Sequence, residues 1–178
     1  STVALYDAVK KNPAAHLYTI DIEKDQRFCP KQMFADPQVS FIFGDVCSYF
    51  TTEQLPRNID LLFTDTLHYN FQIEDEFEVY EHLLADTALV AIDDIRSNDK
   101  GLFFDKLSYP KWDLTNLCHG SGWGLFLFQR KNRVSTEENE KQLERSIFRV
   151  WERKYARAEA VIAEKENTLW KKTKSVLK

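Results

Sequence analysis

Residues 59–95 read IDLLFTDTLHYNFQIEDEFEVYEHLLADTALVAIDDI, and this stretch decides the fold. It contains two runs that are apolar nearly throughout, 59–65 and 88–95, with a helix-like segment at 69–84 between them. Continuous apolarity is typical of parallel strands that are covered on both faces. We therefore expect a strand, a crossover helix and a second strand parallel to the first.

The same alternation extends in both directions. Two similar runs precede the stretch, at 16–22 and 39–45, among helix-like segments at 1–11, 30–34 and 48–55. After it, a helix-like segment at 98–107 leads to two runs at 112–118 and 123–130, and their short connection requires an antiparallel hairpin. The sequence predicts an α/β fold with a Rossmann-like, mostly parallel sheet that ends in an antiparallel hairpin.

The C-terminal segment 136–178 has no Pro or Gly, and its apolar side chains fall at spacings of three and four. This pattern predicts one amphipathic helix of about 40 residues, roughly 60 Å long. It is either an extended surface helix or an oligomer-forming arm that binds a second copy or a partner helix as a coiled coil. We divide the chain into an α/β domain, 1–131, and this helix, 136–178.

Charge and composition exclude several classes of protein. Segment 137–178 has 11 basic and eight acidic residues, whereas 1–136 has 13 basic and 20 acidic ones. An acidic body disfavours nucleic acid as a partner, because that affinity comes from many contacts of Lys and Arg with phosphate. No run approaches the ~20 apolar residues of a membrane span, and no signal-peptide pattern opens the chain, so we expect a cytoplasmic protein.

The four parallel runs all end in carboxylates, and ligands bind beyond the carboxyl ends of parallel strands. Asp21 and Glu23 end the first run, where an acid is placed to bind the hydroxyls of a ribose. In the second run, Gly44 permits close backbone approach and Asp45 could accept from an exocyclic amine, or cap the next helix. These residues are candidates for binding a nucleoside.

The third and fourth runs end in Asp65 and in the pair Asp93 and Asp94. Converging carboxylates repel one another and need a cation among them. An all-oxygen set favours a hard divalent ion such as Mg²⁺. The alternatives are that these acids cap helices or that Arg96 neutralises them.

Five segments follow one another in an order that we can compare with known families: YTIDIEKD at 18–25, FIFGD at 41–45, DLLFTDTLHYNFQIEDEFEVYEHLL at 60–84, ALVAIDDI at 88–95 and GWGLFLF at 122–128. Over about 1–131 the chain resembles the class I S-adenosylmethionine-dependent methyltransferases. It most resembles the macrocin, rhamnosyl and cephalosporin-hydroxylase-like group of small-molecule and sugar O-methyltransferases.

This resemblance implies roles for the strand-end residues. Asp21 would bind the ribose of S-adenosylmethionine, and Gly44 and Asp45 would flank its adenine. The set Asp65, Asp93 and Asp94 would coordinate the divalent metal, which lowers the pKa of the acceptor hydroxyl and orients it. His68, three residues after Asp65, is the candidate for a base or a contact to that hydroxyl, or else a helix-start residue.

One feature of the family is missing from this sequence. Members have a first strand that ends in a glycine-rich turn, and Ser1-Thr2-Val3 resembles the residues that follow that turn. Either the sequence is part of a longer protein, which we favour, or another polypeptide supplies the strand, or cofactor binding has been lost. Removing a central strand would leave unpaired backbone groups and an open apolar seam.

The function predicted from the sequence is metal-assisted, S-adenosylmethionine-dependent methyl transfer to a hydroxyl of a sugar or small polar metabolite. The alternative is a catalytically inactive methyltransferase-like binding or scaffold protein that assembles through its C-terminal helix. Iron-dependent oxidation is a third possibility that the same resemblance allows. Binding of S-adenosylhomocysteine distinguishes the enzyme from the scaffold.

Overall fold

A computed structural model describes residues 2–22, 29–67, 69–117 and 120–176, with side-chain environments through residue 165. The strands of this part of the chain are β1 (Leu17–Asp21), β2 (Val39–Phe43), β3 (Ile59–Thr64), β4 (Leu84–Asp93), β5 (Lys111–Asp113) and β6 (Trp123–Gln129). Its α-helices are α1 (Thr2–Val9), α2 (Tyr49–Thr52), α3 (Asn70–Tyr80), α4 (Gly101–Lys106) and α5 (Thr136–Val176), and a 3₁₀ turn spans Lys31–Ala35.

The strands form two sheets. β1 and β2 pair in parallel, and a second sheet has the order β3-β4-β6-β5. In the second sheet β3 and β4 are parallel, whereas β6 is antiparallel to both β4 and β5. Four of the six strands are thus in parallel pairs and the last two form a hairpin, which confirms the α/β class with its terminal hairpin and long C-terminal helix.

Two element boundaries differ from the prediction. β4 begins at Leu84, four residues early, because α3 ends at Tyr80 and Leu84 already pairs with Ile59 of β3. β5 ends at Asp113, where the Asp113 carboxylate accepts a hydrogen bond from the Thr115 backbone N–H at 2.9 Å and turns the chain. Such local turns are side-chain effects that the hydrophobic pattern does not show.

The core lies on one face of the second sheet. Leu62, Val90 and Phe126 of adjacent strands are buried there against α3 and α4. Phe77 of α3 packs edge-on against Phe126, with ring centroids 5.6 Å apart. This packing fixes α3, and therefore the segment between β3 and α3 that carries the candidate site residues.

Helix α5 joins the same core through its first half. Leu143, Ile147 and Val150 are buried in the core cluster. Farther along, Arg153 donates to Asp75 of α3 at 2.8 Å, so charged contacts extend the apolar ones. The helix combines a docked face with an exposed one.

The other face of the second sheet is partly open. Leu61 of β3 and Leu89 of β4 are paired in register, and their exposed fractions are 48% and 37%. Within the described residues β1 pairs only with β2 and β3 only with β4, so each has one edge without a strand neighbour. In the same part of the chain, no helix is long and apolar enough to cross a membrane.

Candidate functional site

The carboxyl ends of β3 and β4 bring three predicted site residues together. Thr64 and Ile92 are partners in the parallel register, so Asp65 and Asp93, which follow them, leave neighbouring strands at the same edge. Asp94 comes next with a left-handed backbone, φ 57°, and its N–H donates to the Asp93 carboxylate at 2.9 Å. We call Asp65, Asp93 and Asp94 the rim acids.

The rim acids affect one another electrostatically. Partial burial raises the pKa of Asp93, and the negative charges of Asp65 and Asp94 raise it further. The hydrogen bond from the Asp94 N–H and the charge of Lys100 act in the opposite direction without cancelling the rise. Asp93 therefore holds a proton more readily than an ordinary aspartate.

Lys100 is the residue that the sequence analysis missed. It directly precedes α4, is fully buried with 0% exposure, and its ammonium group lies 3.5 Å from the carbonyl oxygen of Thr66. Burial lowers the pKa of Lys100, and the negative charges of Asp65, Glu76, Asp94 and Asp93 oppose this fall without cancelling it. The available signal was a lone lysine six residues after the acidic pair, directly before Gly101.

Gly101 is required where it lies. A Cβ atom at this position would be 2.3 Å from the carbonyl oxygen of Ile95, a backbone atom that cannot move aside. The α4 start therefore packs closely on the segment that follows the rim acids, which carries Lys100 into the interior.

The predicted metal site does not fit this arrangement. Among the residues that the structure describes, no group of three or more His, Cys, Asp or Glu side chains is placed to hold a metal ion. Instead, the ammonium group of Lys100 faces the rim acids. A positive charge at this position opposes the entry of a divalent cation.

Arg96 does not neutralise the rim acids. Its guanidinium pairs with Asp113, and with Asp105 at 3.7 Å. The contacts therefore do not support the alternative that Arg96 balances the charge of the rim acids. Lys100 is the cation that has this role.

The end of β1 carries the first candidate nucleoside contacts. Asp21 is exposed at the strand end, and its carbonyl oxygen accepts from the Gly44 N–H at 2.9 Å. A Cβ atom on Gly44 would lie 2.5 Å from Thr51 Oγ1, so this position favours glycine. Glu23 lies outside the described residues.

Asp45 already has two partners. One carboxylate oxygen accepts from the Cys47 N–H at 2.9 Å, and the other pairs with Lys154 of α5 at 2.5 Å. Burial raises the pKa of Asp45, but these contacts outweigh it and the net pKa is lower than usual. Helix α2 is capped by Ser48, not by Asp45.

An aromatic residue, Trp123, lies where it could contact the methyl acceptor. Trp123 of β6 is the register partner of Asp93 and is 38% exposed, and its ring lies edge-on to Phe63 of β3 at 5.6 Å. His68, the other candidate for contact with the acceptor, lies outside the described residues. Trp123 thus provides an apolar surface beside the rim acids.

A cavity of about 370 Å³ lies elsewhere, between α2 and the start of α5. Its lining includes Arg57 and Glu140, which are paired with each other at 2.6 Å. None of the predicted site residues lines it, so the cavity is not the candidate site.

The residues at the β1 and β2 ends are compatible with S-adenosylmethionine. Asp21 would bind the ribose and Gly44 would lie beside the adenine, whereas Asp45 would have to share its carboxylate with Lys154. When bound, this cofactor supplies an electrophilic methyl group on a sulfonium.

Comparison with known proteins gives a family and a set of structural neighbours. The structure resembles spermidine synthase from Thermotoga maritima with a TM-score of 0.47 and 11% identity, covering 78% of this chain and 53% of that one. The chain thus spans about half the length of that protein. No curated protein is significantly similar in sequence.

A family model described as "Methyltransferase domain" matches residues 1–95, more than half of the chain. The match includes β1 to β4, with Asp21, Gly44 and the rim acids. The chain therefore belongs to the methyltransferase-domain family, within the class I S-adenosylmethionine-dependent methyltransferases.

Proposed function

We propose that this protein transfers a methyl group from S-adenosylmethionine to a hydroxyl of a sugar or another small polar metabolite. The observation that carries the proposal is the meeting of Asp65 and Asp93 at one edge of the parallel β3–β4 pair. Carboxylates can accept the hydrogen bond of an acceptor hydroxyl and orient its oxygen. Trp123 beside them offers a face on which a sugar ring can stack.

The chemistry assigned to the chain's own residues is simple. The hydroxyl oxygen forms a bond to the methyl carbon, the bond from that carbon to sulfur breaks, and the hydroxyl proton passes to a base. We assign Asp65, which is exposed, to orient the hydroxyl. His68 stays the predicted base, and Glu23 a predicted contact to the cofactor.

Metal assistance is not part of this proposal, because Lys100 faces the acids that would bind the ion. Instead, the carboxylates of the rim acids favour a hydroxyl as the methyl acceptor. A metal-free route needs only orientation and a proton acceptor, since the sulfonium is already a strong electrophile.

The test is binding of S-adenosylhomocysteine to the full natural protein, measured by titration calorimetry. We expect Asp21→Asn to weaken binding about 10- to 100-fold, because a hydrogen bond to a charged group is worth about 1.5–3 kcal/mol. Asp60→Asn, at the opposite end of β3, is the matched control and should bind normally.

Two results would count against the enzyme. Absence of binding in the unsubstituted protein favours the inactive scaffold. Equal affinity of the Asp21→Asn and Asp60→Asn variants would remove Asp21 from the cofactor site.

We also propose that α5 binds a second copy of this chain. Its exposed face carries Phe148, Trp151 and Tyr155 at 58%, 57% and 54% exposure, followed by Ala158 and Ile162. The spacing of these five residues, three and four alternately, is that of a coiled-coil seam.

A further inference from the structure

Lys100 is an interior lysine whose ammonium group donates a long hydrogen bond to the carbonyl oxygen of Thr66, 3.5 Å away. Its side chain is fully buried. Burying an ammonium group is costly unless opposite charges surround it. The buried charge of Lys100 must therefore be balanced by negatively charged groups around it.

The charge of Lys100 interacts with four carboxyl groups. Asp65, Asp93 and Asp94 lie at the ends of β3 and β4, and Glu76 lies on α3. Glu76 is only 2% exposed, and one of its oxygens has no hydrogen-bond partner in the described part of the chain. Its other oxygen accepts from the side chain of Gln72.

Other cations near the site are directed elsewhere. Arg96 pairs with Asp113 and Asp105, and Lys154 pairs with Asp45. Lys154 also affects Glu76, but more weakly than Lys100 does. Lys100 is the positive charge that acts most strongly on Glu76, and its charge also acts on Asp93.

We propose that Lys100 is the built-in cation of the rim acids, in the role that the sequence analysis gave to a divalent metal. As a positioning residue, it holds Asp65 and Asp93 together for the acceptor hydroxyl and leaves the site independent of added metal. The role of Lys100 toward the acceptor hydroxyl rests on the proposed function. The independence of the site from added metal does not.

The test is binding of Mn²⁺ alone to the full chain, measured by electron paramagnetic resonance without S-adenosylmethionine. We expect the unsubstituted protein to show no saturable binding below about 1 mM Mn²⁺, the weak limit of protein sites for hard divalent ions. Lys100→Met removes the charge and should increase Mn²⁺ affinity roughly tenfold or more, because a positive charge that repels the metal ion is gone.

Three further variants make the result specific. Lys106→Met, an exposed lysine at the end of α4, should leave Mn²⁺ binding unchanged. Adding Asp93→Asn to Lys100→Met should abolish the gained binding. Adding Glu76→Gln instead should raise the melting temperature above that of Lys100→Met, since one buried negative charge is removed.

Either of two results would overturn the inference. One is saturable micromolar Mn²⁺ binding by the unsubstituted protein that Asp93→Asn abolishes, a measurement that needs no folded Lys100 variant. The other is a folded Lys100→Met protein that binds Mn²⁺ no better than the parent. Neither involves S-adenosylhomocysteine, so failure of the proposed function is recognised separately by calorimetry.

Discussion

At the scale of single residues, the site depends on which cation faces which acid. Arg96 and Lys100 are four residues apart, and both are close in sequence to the acidic pair. The arginine points to Asp113 on the hairpin, whereas the lysine turns inward to the rim acids. Lys100 reaches the interior because α4 begins directly against the Ile95 carbonyl, which only Gly101 permits.

A second residue-scale pairing predicts a pH effect on stability. Arg57 donates to both oxygens of Glu140, at 2.6 and 2.8 Å, and this lowers the pKa of Glu140 below the ordinary 4.5. Below about pH 4.5 the Glu140 carboxylate is protonated in the unfolded chain before it is protonated in the folded protein. The stability that the Arg57 pair contributes is therefore lost as pH falls through the folded-state pKa of Glu140. We expect Glu140→Gln to lose less stability than the parent between pH 7 and pH 4.

Urea unfolding at the two pH values checks this prediction. Glu144→Gln, an exposed position one turn farther along α5, is the control and should keep the parent's pH dependence. An unchanged loss of unfolding free energy in Glu140→Gln would show that the Arg57 pair does not contribute to acid sensitivity.

At the scale of elements, α5 has two faces with different tasks. Leu143, Ile147 and Val150 are part of the core, and Arg153 and Arg157 pair with the buried carboxylate of Asp75. Removing the whole helix would therefore damage the body of the protein. The exposed aromatic face must be tested by substitution rather than by truncation.

We expect the double variant Trp151→Glu, Tyr155→Glu to be monomeric by light scattering, whereas the parent is a dimer. Charges in an apolar seam oppose association, and both side chains are exposed, so the unfolding free energy should change by only about 0.5 kcal/mol. Ala160→Glu, on the side of the helix away from the seam, should leave the dimer intact. A monomeric parent would contradict the proposed pairing.

At the scale of the whole molecule, the two sheets contribute to one hydrophobic core, although in the described residues no strand of one sheet pairs with a strand of the other. Ile42 of β2 and Leu62 of β3 are in the same buried cluster. The edge strands, β1 and β2 of one sheet and β3 and β5 of the other, nevertheless have one strand partner each within the described residues. The candidate site thus uses strand ends from both sheets, Asp21 from one and the rim acids from the other.

This arrangement predicts an order of amide hydrogen exchange. β4 pairs on both sides, with β3 and β6, and so its N–H groups are hydrogen-bonded along both edges. We expect β4 to exchange more slowly than β1, because β1 has one open edge. Exchange followed by mass spectrometry checks this, and equal protection of β1 and β4 would contradict it.

The sequence by itself determined the α/β class, the antiparallel hairpin and the long helix. Each depends on a local period: continuous apolar runs for β1 to β4, a short connection for β5 and β6, and spacings of three and four for α5. The rim acids were found for the same reason, since parallel strands place their carboxyl ends at one edge.

Tertiary structure alone decided what those acids contact. The partners of Asp93 and Asp45 are Lys100 and Lys154, seven and 109 residues away along the chain. Lys154 lies on α5 and Lys100 directly precedes α4, and the orientation of these helices follows from core packing, through Phe77 and Leu143, and not from their own local sequence. Charge pairing over such distances depends on the folded backbone, so strand patterns predicted where the acids lie but not which cation neutralises them.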